Sequence, residues 1–200
     1  MSKRNLIKSL LVVAVVCSAS ISSSANAKIY VGAHLSGGTF TNKGNFDLLG
    51  INEKETSYFG GVGGRIGFES KGAIYFATEI GATGALGSLA GAVTDSLTST
   101  DNPIINTGLA FKFGYNNKGN KMYAIAFTDY LMALNTIDDK GVFVLGGGLG
   151  TKIRIAQYID FVMEAKAGFP IAERDGISIT PTSGMSSFRV VLQTGFDLHF

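Results

Sequence analysis

One cysteine, Cys17, stands near the start of the chain and none follows it. Disulfides and thiol chemistry are therefore excluded from everything after position 17. Long apolar runs are missing as well. Beyond the first 27 residues there is no stretch of about 18 apolar residues, so no transmembrane helix is expected. No His/Asp/Glu group has the spacing of a metal site, and no metal or cofactor is expected. The glycine runs Gly60-Gly61-Val62-Gly63-Gly64 and Gly146-Gly147-Gly148-Leu149-Gly150-Thr151-Lys152 match neither the dinucleotide fingerprint nor the phosphate-loop pattern. They read instead as strand glycines that permit bending and leave room on one face.

The first 27 residues have the build of a secretory signal. Lys3, Arg4 and Lys8 precede an apolar run, Leu10 to Val16, that is too short to span a bilayer as a helix. A serine-rich stretch then ends in Ala25-Asn26-Ala27, a small-x-small cleavage pattern, and cleavage is expected after Ala27. Val16 before Cys17 argues against a lipoprotein signal. The segment takes three of the 17 basic residues and none of the 15 acidic ones, leaving 14 basic against 15 acidic in 28–200. That near-neutral balance gives no reason to expect nucleic-acid binding. The length suits one domain, 28–200.

What is present in that domain is alternation. Eight strands are expected near 28–36, 57–69, 73–83, 104–115, 121–131, 142–155, 159–169 and 187–200. One face of each is apolar: Ile29, Val31, Ala33, Leu35; Tyr58, Val62, Ile66, Phe68; Ile74, Phe76, Thr78, Ile80; Ile105, Thr107, Leu109, Phe111, Phe113, Tyr115. The sets continue with Tyr123, Ile125, Phe127; Leu145, Leu149, Thr151, Ile153, Ile155; Ile159, Phe161, Met163, Ala165, Phe169; and Phe188, Val190, Leu192, Thr194, Phe196, Leu198, Phe200. None of these holds a charge, as a lipid-facing surface requires, where a mid-membrane charge costs about 2–4 kcal/mol.

The opposite faces carry Arg65, Glu69, Glu79, Lys112, Lys152, Arg154, Glu164, Lys166, Arg189 and Asp197, six basic and four acidic. Glycines occupy many other inward positions, including Gly61, Gly63, Gly67, Gly81, Gly108, Gly146, Gly148, Gly150 and Gly195. Small residues make room for long cationic side chains in a narrow lumen. A soluble β-sandwich shares the alternation, but the signal segment and the large outward aromatics favour an all-β, eight-stranded antiparallel transmembrane β-barrel. The connections alternate long (37–56, 84–103, 132–141, 170–186) and short (70–72, 116–120, 156–158). With short periplasmic turns and long external loops, both mature termini are expected on the periplasmic side of a Gram-negative outer membrane. Tyr115, Tyr123 and Tyr158 would then form one aromatic girdle, and Tyr58, Phe169 and Phe188 the other. The segment Gly84 to Val93 is more apolar than most surface loops and is expected to fold against its neighbours.

Phe188 to Phe200 alternates throughout and ends on an aromatic residue. It resembles the C-terminal assembly signal of outer-membrane barrels, with Phe196, Leu198 and Phe200 at its alternating positions. That resemblance implies recognition by the barrel-assembly machinery. The mature chain as a whole resembles the small eight-stranded outer-membrane proteins of the OmpA transmembrane-domain and OmpX type. Unlike full-length OmpA, it stops at Phe200, and no peptidoglycan-binding domain is expected. The resemblance implies contact with outer-membrane lipid and lipopolysaccharide.

His34-Leu35-Ser36 resembles the His-x-Ser pair of the lipid A deacylases, themselves eight-stranded barrels. Here, however, the pair lies early in the chain and on the inward phase, whereas a lipid substrate approaches from outside. A lumenal histidine is the preferred reading, and no enzyme activity is expected. Three roles remain open: a structural or surface-contact protein acting through its external loops, a narrow porin-like channel for small solutes, and a lipid-modifying enzyme. Ten inward charges in an interior just wide enough for side chains favour a plugged lumen over a channel.

Overall fold

The computed structural model describes residues 27–41, 56–88, 104–133, 141–175, 178–181 and 187–200. Its strands are β1 (Ala27–Thr41), β2 (Thr56–Ser70), β3 (Ile74–Ser88), β4 (Ile104–Asn117), β5 (Asn120–Ala133), β6 (Gly141–Ala156), β7 (Ile159–Asp175), β8 (Ser178–Pro181) and β9 (Phe188–His199). From β1 to β7 each strand pairs with the next, and β9 lies between β7 and β1. The ring of eight is closed and antiparallel throughout. Closure removes the unpaired sheet edges that a strand could not leave exposed in hydrocarbon. The four-residue β8 pairs with the end of β7 alone, from Ala172↔Pro181 to Asp175↔Ser178.

Turn chemistry sets one end of the barrel. Lys118 and Gly119 both have positive φ, 51° and 96°, between Asn117 and Asn120. A two-residue hairpin of this kind matches the strand twist and favours glycine at such a position. Ser70 Oγ donates to the Ile74 carbonyl (2.9 Å) and accepts from the Phe76 amide (3.0 Å), closing the β2–β3 turn. The opposite end carries the long connections. Residues 42–55, 89–103, 134–140, 176–177 and 182–186 of these loops lie outside the described residues, as does 1–26 of the signal segment.

Several strands run further toward the loop end than the sequence predicts. β1 continues past 36 to Thr41, β3 past 83 to Ser88, and β7 past 169 to Asp175. Glycine and polar residues there suggest loop, but their backbones are held by a partner: Gly37 pairs with Gly60 and Thr39 with Tyr58. Ladder hydrogen bonds need no particular side chain, so the pairing overrides composition. The start of the apolar segment 84–93 is accordingly strand, while 89–93 lies outside the described residues.

Seven of the eight expected outward faces match the structure. Leu35, Ile66, Ile80, Phe113, Leu149, Phe169 and Leu192, one from each, are among the exposed residues. β5 is the correction. Tyr123, Ile125 and Phe127 are each only 4% exposed and point into the lumen, while Met122, at 74%, leads the outward phase with Ala124 and Ala126. The expected girdle at the turn end therefore loses Tyr123 and keeps Tyr115 and Tyr158. Both phases of β5 are apolar, so hydropathy could not choose between them. Its two charges could: Lys121 and Asp129 share the phase of Tyr123.

Candidate functional site

The lumen is the one interior the barrel encloses, and its contents change from the turn end to the loop end. At the turn end, Lys121 Nζ donates to Glu69 (2.7 Å) and Asp160 (2.9 Å). Arg154 Nε reaches Asp160 at 2.5 Å, and His199 Nε2 lies 2.9 Å from the same carboxylate. Glu69, Asp160 and His199 bring their oxygen and nitrogen atoms within 4.8 Å of one another, a donor set suited to a divalent ion. The Lys121 ammonium bonded to both carboxylates already supplies a cation to this cluster.

Lys152 carries the network upward, with Glu69 at 3.3 Å and Asp197 at 2.6 Å. Arg65 Nε donates to Asp197 (2.8 Å) and also faces Glu79 (3.6 Å), while its Nη1 faces Glu164 (3.5 Å). Lys112 Nζ bridges Glu79 (2.5 Å) and Glu164 (2.6 Å), and Lys166 meets Glu164 at 3.0 Å. Tyrosines frame these ions. Tyr30 donates to Glu79 and Tyr123 to Glu164, each at 2.8 Å. The Lys152 ammonium lies 3.6 Å from the centre of the Tyr30 ring, within cation–π range.

Glycines decide where the rings fit. A Cβ at Gly67 would come within 2.5 Å of Tyr30 Cζ, and one at Gly150 within 2.5 Å of Tyr123 Cε2. Each tyrosine thus occupies the space that a side chain across the ladder would need. Charge burial on this scale is tolerable because each ion has partners; desolvation would otherwise cost several kcal/mol per ion.

The loop half is different. Phe40, Phe127, Leu131, Val142, Val144 and Val191 are buried there. A separate pair, Arg189 Nη1 to Asp129 at 2.7 Å, is joined by Asn106 Nδ2 at 3.0 Å. Between the halves lies a small cavity of about 30 Å³, lined by residues that include His34, Glu79, Thr83, Asn106, Asp129, Lys166 and Gln193. His34 Nε2 is 2.9 Å from Thr83 Oγ1. His34 Nδ1 and Ser36 Oγ have no hydrogen-bond partner among the described residues. Both side chains face the lumen, 7% and 8% exposed. Ser36 therefore has neither a base bonded to its hydroxyl nor access from the lipid side.

All ten charges expected inward lie in the lumen, nine in the connected network and Arg189 in its own pair with Asp129. Sequence reasoning missed Lys121, Asp129 and Asp160. The first two were hidden by the β5 phase; Asp160 shares the phase of Glu164 and Lys166 and was legible from parity alone. With them the inward charges come closer to balance, because one cation and two carboxylates are added. Phe196, Leu198 and Phe200 project outward, at 52%, 46% and 77% exposure.

No protein-family model matches the chain, and no curated protein matches it in sequence. Similarity appears among solved structures. Neisserial surface protein A superposes with a TM-score of 0.53 at 12% identity, covering 87% of this chain and 99% of that one. A major outer membrane protein of Thermus thermophilus gives a TM-score of 0.45 at 12% identity, covering 87% and 99%. Ail, the attachment invasion locus protein of Yersinia pestis, gives 0.45 at 11%, covering 88% and 98%. The fold, closed ring and apolar exterior together, is that of the small eight-stranded outer-membrane β-barrels.

Proposed function

We propose that this chain is an outer-membrane barrel whose role is structural or surface contact through its loop end, with a lumen closed to solutes. The observation that carries this reading is the ion network running from Arg154 at the turn end to Lys166 below the cavity. Every ion in it is held by at least one opposite charge, so a passing solute would have to part buried pairs. Removing one partner of such a pair costs about 3–5 kcal/mol, and a path that requires it is closed on the time scale of conduction.

In this reading the turn end and both termini face the periplasm, and the loop end meets the outside. Lipid and lipopolysaccharide surround the apolar belt. The barrel-assembly machinery reads Phe196, Leu198 and Phe200. Within 37–56, 84–103, 132–141 and 170–186, the residues beyond the strand ends supply the contact surface for an external ligand. Purified protein in planar bilayers should leave the current flat. Steady, reproducible single-channel steps would overturn the plugged lumen. The channel reading keeps one observation in its favour, the cavity beside His34, which is large enough for water. Lipid hydrolysis by His34 and Ser36 has no such support, given their inward orientation.

A further inference from the structure

The turn end sorts its charges by sign. Its carboxylates, Glu69 and Asp160, are buried at 2% and 0% exposure and bonded to Lys121 inside the barrel. Its outward charged side chains, apart from the part-exposed Arg154 held by Asp160, are lysines. Lys71 in the β2–β3 turn and Lys118 in the β4–β5 turn are exposed, and Lys28 at the start of β1 is half-buried. None of the three is ion-paired among the described residues, and no exposed carboxylate side chain accompanies them at this end. A solubilising surface would mix signs; the exposed charged side chains described on this rim are of one sign.

The two lysine-bearing turns are also fastened together. Asn116 donates from Nδ2 to the Gly72 carbonyl (3.1 Å) and from its amide to the Ala73 carbonyl (2.8 Å). Its Oδ1 accepts from the Gly119 amide at 3.1 Å. One side chain thus links the turn of Lys71 to the turn of Lys118. Asn120 Oδ1 accepts from the Arg154 amide (3.2 Å) and ties in β6. Tyr115 and Tyr158 stand outward beside these turns, 60% and 59% exposed, as tyrosines do at a bilayer's polar boundary.

We infer that this rim is a docking surface for anionic phospholipid headgroups, with Lys71, Lys118 and Lys28 meeting the phosphates and Tyr115 and Tyr158 seated at the glycerol level. The inference rests on the membrane-spanning reading above. It names the partner of the turn end as the leaflet on that side, recognised by charge. A rigid pair of turns binds without the ordering cost of flexible loops.

The test uses the whole mature barrel in nanodiscs of equimolar phosphatidylcholine and phosphatidylglycerol, with the retained lipid counted by native mass spectrometry. Phosphatidylglycerol should be enriched. Lys71→Gln with Lys118→Asn, the latter chosen because asparagine accepts positive φ, should lower the enrichment about fivefold for each lysine at low salt. Equal retention of both lipids, or enrichment untouched by the double variant, would overturn the inference. Loss of the enrichment to inorganic phosphate alone would also overturn it, because the rim would then be a bare anion site. A protease-protection assay on the same nanodiscs separates the two levels of failure. A parent fully digested there defeats the membrane-spanning reading and the inference with it; a protected barrel without lipid preference defeats the inference only.

Discussion

The two halves of the lumen fill the same diameter with opposite chemistry. Toward the turns, cations and carboxylates interlock, and aromatic rings separate them. Toward the loops, Phe127, Leu131, Val142 and Val144 share one apolar cluster, Phe40 and Val191 are buried as well, and the charges there include the Arg189–Asp129 pair. The difference teaches that alternation constrains only the outer face. Lipid demands apolar side chains there, whereas the inner face need only fill space and satisfy its polar atoms. Either solution serves, and the chain uses both in sequence.

The comparison breaks most readily in the charged half. Lys112 is fully buried and bridges Glu79 and Glu164. Lys112→Met leaves the two carboxylates facing each other without that cation, and should destabilise the barrel by about 3–5 kcal/mol. Urea unfolding in lipid vesicles measures it. Adding Glu79→Gln removes the carboxylate that has lost its nearest cation and should recover part of the loss. A single variant as stable as the parent would show that the network contributes nothing to holding the barrel.

The apolar half should respond nearly as strongly but without rescue by charge. Phe127 is 4% exposed and lies across the ladder from Gly146, where a Cβ would come within 2.5 Å of its Cζ. Phe127→Ala should cost about 3 kcal/mol through the cavity it leaves, read by the same unfolding curves. The phase of β5 can be read separately, because cysteine is absent after Cys17. Ala124→Cys should react with a lipid-soluble maleimide, and Ile125→Cys should not. The reverse pattern would restore the outward phase that the sequence suggests.

The barrel itself was legible because a charge-free face recurs every second residue in seven strands, and three short connections mark one end. Lumen charges were legible by parity, which is why Arg65, Glu79, Lys112 and Asp197 were found. Their pairing was not, since Arg65 and Asp197 are 132 positions apart and meet only through closure of the ring. β5 failed for a physical reason: Tyr123, Ile125 and Phe127 are as hydrophobic as any lipid-facing set, and the glycines of β6 that make room for them are visible only once the strands are paired. Strand ends at the loops failed because backbone pairing tolerates the glycines that otherwise signal a turn.

The smallest effect belongs where the network meets water. Arg154 bonds Asp160 at 2.5 Å, but its side chain is 28% exposed, unlike the fully buried Lys112 and Lys152. Solvent reaches the guanidinium, which screens the attraction and lowers its desolvation cost. Although Asp160 itself is buried, the pair therefore contributes nearer to the roughly 0–1 kcal/mol of exposed pairs than to a buried one. Asp160 keeps Lys121 and His199 when Arg154 is lost. Arg154→Gln should therefore lower stability by less than about 1 kcal/mol. Most of that loss should disappear at high salt, because screening weakens surface pairs more than buried ones. Urea midpoints for Arg154→Gln and Lys112→Met, each taken at low and high salt, make the contrast. If Arg154→Gln costs as much as Lys112→Met and the cost persists in salt, the network does not end at the turns. The turn rim would then belong to the buried half of the barrel, and not to its surface.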